Sequence, residues 1–248
     1  MGYLELPLPA RTPAHLEEAV RKGLDPLLAD VHAMFRLPQP DVPGLEAGCN
    51  LSVALTLLSV VGGISFELVD DTSLGISDDN SGERFMRTLE RHFPWDHEKN
   101  LQGAVTGRHA ARLLYDAFRN PLSHNLGRYK KGTSLGNIKV DKGPNPLTEE
   151  ELDEIERSTE RPNWEQPTLA HDGAKKATRT KTLLLPKALY WGVRQMVSRI
   201  ITANVAPTVP LQGTIETVRV SATARTTNSN VTWVQSGSTE PYGPERNK

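Results

Sequence analysis

The sequence predicts an all-α protein, a helical bundle followed by a small C-terminal β-hairpin or a disordered tail. Two observations support this fold class. Apolar residues recur at helical spacing along most of the chain up to about residue 206. The P-loop and the GxGxxG turn, which are typical of α/β nucleotide-binding folds, are not found in the sequence.

The composition is that of a chain able to form a core and stay in solution. The 248 residues include a single cysteine, Cys49, which excludes an internal disulfide framework and a thiolate zinc site. One cysteine also suits a reducing compartment. The first residues lack the basic and then apolar pattern of a signal peptide. We therefore expect a cytoplasmic protein with no membrane partner.

The N-terminal part of the chain predicts two helices. Thr12 and Pro13 form an N-cap and first-turn proline, and Pro26 should kink or divide the helix that follows. Residues 47–66 carry no charge and are long enough for a membrane span. Because Ser, Thr, Asn and Gly interrupt this stretch, we interpret it as the central helix of the bundle.

Further helices are predicted at residues 81–93, 105–119 and 183–205, and Thr148 with Glu151 forms a capping box that starts another. After about residue 207 the helical spacing ends and short alternating stretches follow. We therefore divide the chain into a helical bundle at 1–145, additional packed helices at 146–206, and the C-terminal hairpin or flexible tail at 207–248.

The helix that ends near Arg119 is followed at once by the sequence RNPLSH. Asn120 is a favoured N-cap, Pro121 is favoured at the first helical position, and Gly127 can end a short second helix. In one straight helix, Arg119 and His124 would point about 140° apart. A break at Asn120 allows their side chains to converge.

A converging arginine and histidine suit the cleavage of an RNA phosphodiester. Arginine offers a permanent charge and a planar fork for phosphate oxygens, and histidine exchanges a proton near neutral pH. RNA supplies the 2′-hydroxyl as nucleophile, so the chemistry needs no metal. The same Arg–His spacing recurs at Arg87 and His92, but only Arg119 is followed by Asn. The alternative is a capped helix junction with an exposed histidine.

The sequence FRNPLSHNLG after an amphipathic helix resembles the signature of HEPN domains, the helical family named for higher eukaryotes and prokaryotes nucleotide binding. The family motif is Arg, a polar residue that is commonly Asn, three variable residues and His. The resemblance covers roughly residues 12–130. It implies a bundle of four to five helices and a metal-independent ribonuclease of toxin–antitoxin, abortive-infection or CRISPR systems.

The resemblance also implies roles for the motif residues. Arg119 would bind and stabilise the scissile phosphate, His124 would act as general acid or base, and Asn120 would orient the site. The expected products are a 2′,3′-cyclic phosphate and a 5′-hydroxyl, with no cofactor and no metal. The implied partners are RNA, a second copy of the chain in a homodimer, and an antitoxin or other defence-system protein.

Basic residues before and after the motif predict an RNA-binding surface. Those before it share one helical face with Arg119, and this face would follow the phosphate backbone. The alternative is a solvated basic face that pairs with the acidic segment 67–98. Asp116, three residues before Arg119, is expected to hold its guanidinium. The residues of this surface are Arg108, Arg112, Tyr115, Arg128, Lys130 and Lys131.

Three functions fit the sequence. The first is a HEPN-type endoribonuclease that serves as a toxin or anti-phage defence effector. The second is a non-catalytic helical module of HEPN fold that binds RNA or a partner protein. The third is a regulatory protein in which residues 207–248 do the binding.

Overall fold

The computed structural model describes residues 2–37, 49–76, 80–119, 137–141, 147–172 and 181–205, which belong to one compact unit, Met1–Ala206. This part of the chain is mostly helical, as the sequence predicts, and it contains one small sheet. The C-terminal hairpin or tail predicted at 207–248 lies outside these residues, as does the helix break after Arg119.

The helices surround a single apolar core. The eight α-helices in the described ranges are α1 (Ala14–Glu18), α2 (Asp25–Arg36), α3 (Asn50–Glu67), α4 (Asp71–Leu74), α5 (Ser81–His92), α6 (Gly107–Leu113), α7 (Glu149–Arg157) and α8 (Pro186–Val205). Two π-helical segments, Ala19–Leu24 and Leu114–Arg119, continue α1 and α6. The capping box predicted at the start of α7 is present, with Thr148 and Glu151 each bonded to the other's backbone.

The first helical stretch is predicted to be kinked or divided at Pro26. In the structure the helical run 14–36 is continuous, and it changes from a π-helical to an α-helical pattern at Asp25, just before this proline. A proline removes one backbone donor from the helical ladder and is tolerated in the first turn of an α-helix. The predicted N-cap at Thr12 is wrong. Pro13 occupies the N-cap position of α1 without a side-chain cap, and the Thr12 hydroxyl donates to the carbonyl of Pro9 at 2.7 Å.

Helix α3 contains most of the uncharged stretch 47–66 that the sequence places in the core. Its length and hydropathy would suffice to cross a membrane, but 56% of it is buried inside the protein. It packs against α2, α5 and α8. Burial on this scale fits a core helix, because a helix that is apolar on most sides must be covered by its neighbours.

A three-stranded sheet is the feature of the fold that differs from the all-helical prediction. Strands β1 (Asn137–Val140) and β2 (Leu169–Asp172) flank β3 (Lys181–Leu184), with β1 parallel and β2 antiparallel to β3. Strand β3 and the single residue Leu185 take up the start of the helix predicted at 183–205, so α8 begins at Pro186. A proline is favoured at that first helical position.

Backbone hydrogen bonds join the sheet to the loop that precedes α6. The Val105 amide donates to the Leu169 carbonyl at 2.9 Å, and the His171 amide donates to the Gly103 carbonyl at 2.7 Å. Gly103 has a φ of +72°, and a Cβ at that position would lie 2.9 Å from the carbonyl oxygen of His171. Glycine is therefore required here, where the loop and the sheet come close together.

The N-terminal segment is attached to the interior by buried charged side chains. The Leu4 amide donates to Glu156 Oε2 at 2.8 Å, and the Leu4 carbonyl accepts from Arg194 at 2.9 Å. Glu156 also accepts from the hydroxyl of Tyr190 at 2.6 Å and lies 2.8 Å from Nδ1 of His32. Burial alone would raise the pKa of Glu156, but its hydrogen bonds and the nearby guanidinium outweigh burial and lower that pKa.

Helix α5 docks on α8 through a ring-on-glycine contact. The ring of Phe93, at the end of α5, is 2% exposed and lies against Gly192 in the middle of α8. A Cβ at Gly192 would lie 2.9 Å from Cε1 of Phe93 and closer still to Cζ and Cε2. The absent side chain is thus what lets the two helices approach each other here.

Candidate functional site

Arg119 is the last residue of the π-helical segment that continues α6, and its side chain is half-buried. Its guanidinium carbon lies 5.4 Å from the centre of the Phe85 ring and 5.6 Å from the centre of the Tyr115 ring. Both distances are within the range of cation–π attraction. The arginine is therefore supported by one ring from α5 and one from its own helix.

The guanidinium also lies close to the backbone of α3. A Cβ built on Gly62 would lie 3.7 Å from Nη2 and 3.8 Å from Nε of Arg119, which is ordinary contact. Within the described ranges, Arg119 makes no ion pair or hydrogen bond. Its charged group contacts the rings of Phe85 and Tyr115 instead. Its N–H donors are therefore not used by any carboxylate or carbonyl of that part of the chain.

Arg87 and His92, the second Arg–His pair at the same spacing, have a different environment. Both lie in the unbroken helix α5. Arg87 is 2.8 Å from a carboxylate oxygen of Glu83 and 3.6 Å from one of Glu90, so two acids compensate its charge. Burial lowers the pKa of His92, and the neighbouring charge of Arg91 lowers it further. The two arginines therefore differ in their partners: Arg87 is paired with acids, whereas Arg119 has no acid beside it in the described ranges.

Tyr115 faces the bundle with its ring, and its side chain is half-buried. Its ring centre is 5.7 Å from that of Phe85, at an angle of 49° between the ring planes. Its hydroxyl end lies at the first turn of α5, where a Cβ on Gly82 would be 2.6 Å from Oη. Asn80 caps this turn by accepting from the amides of Gly82 and Glu83. Tyr115 therefore fills a space that only glycine leaves open.

The basic face predicted before the motif is divided in two. Arg108 and Arg112, on α6, are exposed, whereas Tyr115 and Arg119, on the π-helical segment, are half-buried. The wider π-helical turn changes the angle between successive side chains, so α-helical spacing no longer describes the second half. The structure therefore brings Tyr115 and Arg119 together at the bundle and leaves Arg108 and Arg112 on the surface.

Asp116 does not hold Arg119 as the sequence suggested. It lies 3.3 Å from Nε of Arg112, one α-helical turn earlier. The alternative of pairing with the acidic segment 67–98 also finds no support: the described side chains of that segment form no ion pair with Arg108, Arg112 or Arg119. The exposed half of the face is open to solvent.

The remaining predicted site residues lie outside the described ranges, which resume only at residue 137. The catalytic roles of Asn120 and His124, and their convergence with Arg119, therefore stay predictions. The same holds for the RNA-binding roles of Arg128, Lys130 and Lys131.

A cavity of about 360 Å³ lies elsewhere in the fold, between the beginnings of α3 and α8. Its lining includes Asn50, Trp164 and Lys187, whose ammonium is 5.3 Å from the Trp164 ring centre. None of the described lining residues belongs to the predicted site. The cavity and the arginine site are thus separate features.

Sequence reasoning did not identify the aromatic support of Arg119. Phe85 belongs to another helix and is fully buried, and its spacing in the sequence marks it only as a core residue. Nothing in the sequence marks Gly62 as a neighbour of Arg119 or Gly82 as a neighbour of Tyr115. Periodicity predicts which face of a helix is buried, but it does not predict which charged group from elsewhere will rest on that face.

No protein-family model, curated protein or solved structure matches this chain. What the chain does must therefore be inferred from its own side chains and their surroundings.

Proposed function

We propose that this protein is a metal-independent endoribonuclease of the HEPN type, acting in the cytoplasm as a toxin or anti-phage defence effector. The observation that supports this proposal is the environment of Arg119. Its guanidinium is half-buried, rests on two aromatic rings, and has no anionic partner among the side chains the structure describes. An arginine held in this way is suited to a phosphate ligand.

The proposed reaction uses groups of the chain and of the RNA itself. His124 accepts the proton of the 2′-hydroxyl, or donates one to the leaving 5′-oxygen, and water makes the other of these two proton transfers. The 2′-oxygen forms a bond to phosphorus, the bond from phosphorus to the 5′-oxygen breaks, and a 2′,3′-cyclic phosphate and a 5′-hydroxyl result. Arg119 stabilises the charge that builds on the phosphate oxygens, and Asn120 orients the site. A homodimer of HEPN bundles, with an antitoxin or other defence protein as partner, belongs to the same proposal.

A second candidate is a helical module that binds RNA without cleaving it. The observation that favours it is the exposure of Arg108 and Arg112 at the start of α6. Two exposed guanidinium groups on one helix attract a phosphate backbone whether or not cleavage follows.

The two candidates are separated by incubating the purified protein with RNA in excess EDTA. Cleavage that yields a cyclic phosphate should be abolished by Arg119→Ala and by His124→Ala. Arg87→Ala is the matched control, since that arginine has the same spacing to a histidine but is paired with two acids. It should cleave at the wild-type rate.

A substrate with 2′-deoxyribose at the cleavage site provides a second control, because it lacks the nucleophile. Retarded migration of RNA without cleavage would favour the binding module. Cleavage that survives His124→Ala and Arg119→Ala would disprove the proposed mechanism.

A further inference from the structure

The geometry points to a positioning role for the ring of Tyr115. We infer that Tyr115 holds the guanidinium of Arg119 in place for a phosphate, and that Gly82 is the position in α5 that makes room for this ring. The inference rests on the proposed function for its phosphate ligand. The placement of the side chains, however, stands on contacts seen in the structure.

The first step is the triangle formed by two rings and one guanidinium. Phe85, Tyr115 and Arg119 are separated by 5.4, 5.6 and 5.7 Å, measured between ring centres and the guanidinium carbon. Phe85 is fully buried in α5, so its ring is a fixed support. Tyr115 is the other support, and it lies four residues before Arg119 on the same helical segment.

The second step concerns the hydroxyl of Tyr115. This group makes no hydrogen bond with any residue that the structure describes. It lies instead against the first turn of α5, where Gly82 has no side chain. The contact with Arg119 is made by the ring. A phenylalanine should therefore serve as well as the tyrosine, whereas an aliphatic side chain should not.

The third step is the difference between three helical glycines. A Cβ on Gly82 would lie 2.6 Å from Oη and 2.7 Å from Cζ of Tyr115, so the ring would have to move. A Cβ on Gly62 would make only ordinary contact with Arg119, and one on Gly63 would meet nothing within 4 Å. The same substitution at these three positions therefore displaces the ring in only one case.

The test combines a measurement on the arginine with one on RNA. The Nε–Hε signal of Arg119, assigned by its loss in Arg119→Lys, is recorded by NMR in the full chain without RNA. Ring currents make this signal sensitive to the ring of Tyr115. We expect Tyr115→Leu and Gly82→Ala to shift it and Tyr115→Phe to restore it. Gly63→Ala should leave it unchanged.

The affinity for a short single-stranded RNA of mixed sequence should follow the same order. Tyr115→Leu and Gly82→Ala should weaken binding by about threefold to tenfold, the range that corresponds to the loss of one cation–π contact. Tyr115→Phe should restore the wild-type affinity. In a Tyr115→Leu background, Gly82→Ala should have no further effect, because there is no ring left to displace.

Two results would overturn the inference. The first is an Arg119 signal that does not respond to Tyr115→Leu; weaker RNA binding by that variant would then make Tyr115 a direct RNA contact. The second is Tyr115→Phe behaving like Tyr115→Leu, which would give the role to the hydroxyl.

Different results would show that the proposed function is wrong. If the protein does not bind RNA, or binds it equally well after Arg119→Ala, the ribonuclease proposal fails. The NMR arm still decides whether Tyr115 positions Arg119, because it requires no RNA.

Discussion

Replacing Gly192 by alanine should destabilise the protein, although alanine is the better helix former. The change alone would contribute about 1 kcal/mol of stability in the interior of a helix. The new methyl group, however, would lie 2.9 Å from Cε1 of Phe93 and closer to two other ring atoms. Carbon atoms prefer to be about 3.5–4.0 Å apart. The buried ring must therefore retreat by more than about 1 Å or leave its site.

The magnitude follows from these two opposing terms. Forcing a methyl group into a packed core costs about 1–3 kcal/mol, and loss of the burial of Phe93 costs about 1.5–3 kcal/mol. The ring either stays or leaves, so one of these losses applies, and the helix-forming gain of about 1 kcal/mol is subtracted from it. We expect the free energy of unfolding to fall by up to about 2 kcal/mol, and Tm by up to about 8 °C.

The assay is chemical and thermal denaturation of four variants: Gly192→Ala, Gly63→Ala, Phe93→Leu, and Gly192→Ala combined with Phe93→Leu. Gly63→Ala is the matched control, because its methyl group meets nothing within 4 Å and should raise stability by about 0.5–1 kcal/mol. Gly192→Ala combined with Phe93→Leu should be more stable than the sum of the two single changes predicts, since the smaller side chain relieves the overlap. A Gly192→Ala variant as stable as Gly63→Ala would refute the packing argument.

Two further predictions concern the surface and the buried network. Arg108→Ala should reduce the slope of log affinity for RNA against log salt concentration by about one. Arg112→Ala should reduce it less, because Asp116 shares that charge. Unchanged slopes in filter-binding experiments would contradict phosphate contacts by this helix. The pKa of Glu156 is lowered in the folded protein, so its stabilising contribution is complete above the ordinary value of 4.5 and is lost as pH falls through the folded value. Glu156→Gln should therefore be less stable than the wild type by about 1–3 kcal/mol near neutral pH, and this difference in stability should shrink in acid. A stability difference that stays constant with pH in urea denaturation would argue against this role.

Local sequence patterns predict the helices well and the sheet not at all. The capping box at Thr148 and the apolar face of α8 are local signals, and both appear in the structure. Strands β1, β2 and β3 have four residues each, and β1 pairs with a segment more than forty residues further along the chain. A strand this short has too little alternation to be recognised, and its pairing partner is set by the tertiary fold.

The candidate site shows the same limit in its side chains. Arg119 is identified from the Asn that follows it and from the resemblance of the motif, both of which are local. Its partners are not local, because Phe85 comes from another helix and the expected Asp116 contact is replaced by an ion pair with Arg112. The π-helical segment at Leu114–Arg119 also changes which side chains share a face. No propensity in the sequence signals such a segment.

The attachment of Leu4 has a consequence for the order in which the chain folds during synthesis. Its two charged partners, Glu156 and Arg194, lie 152 and 190 residues further along the chain. At about 5–20 residues per second, a ribosome adds Arg194 roughly 10–40 s after Leu4. During that interval the early segment can already bond to Asp25 on α2, which accepts from the hydroxyl of Tyr3 and the amide of Leu6. The contacts of Leu4 with Glu156 and Arg194 form only after both partners have been made. One of the first segments synthesised is therefore among the last to be fully attached.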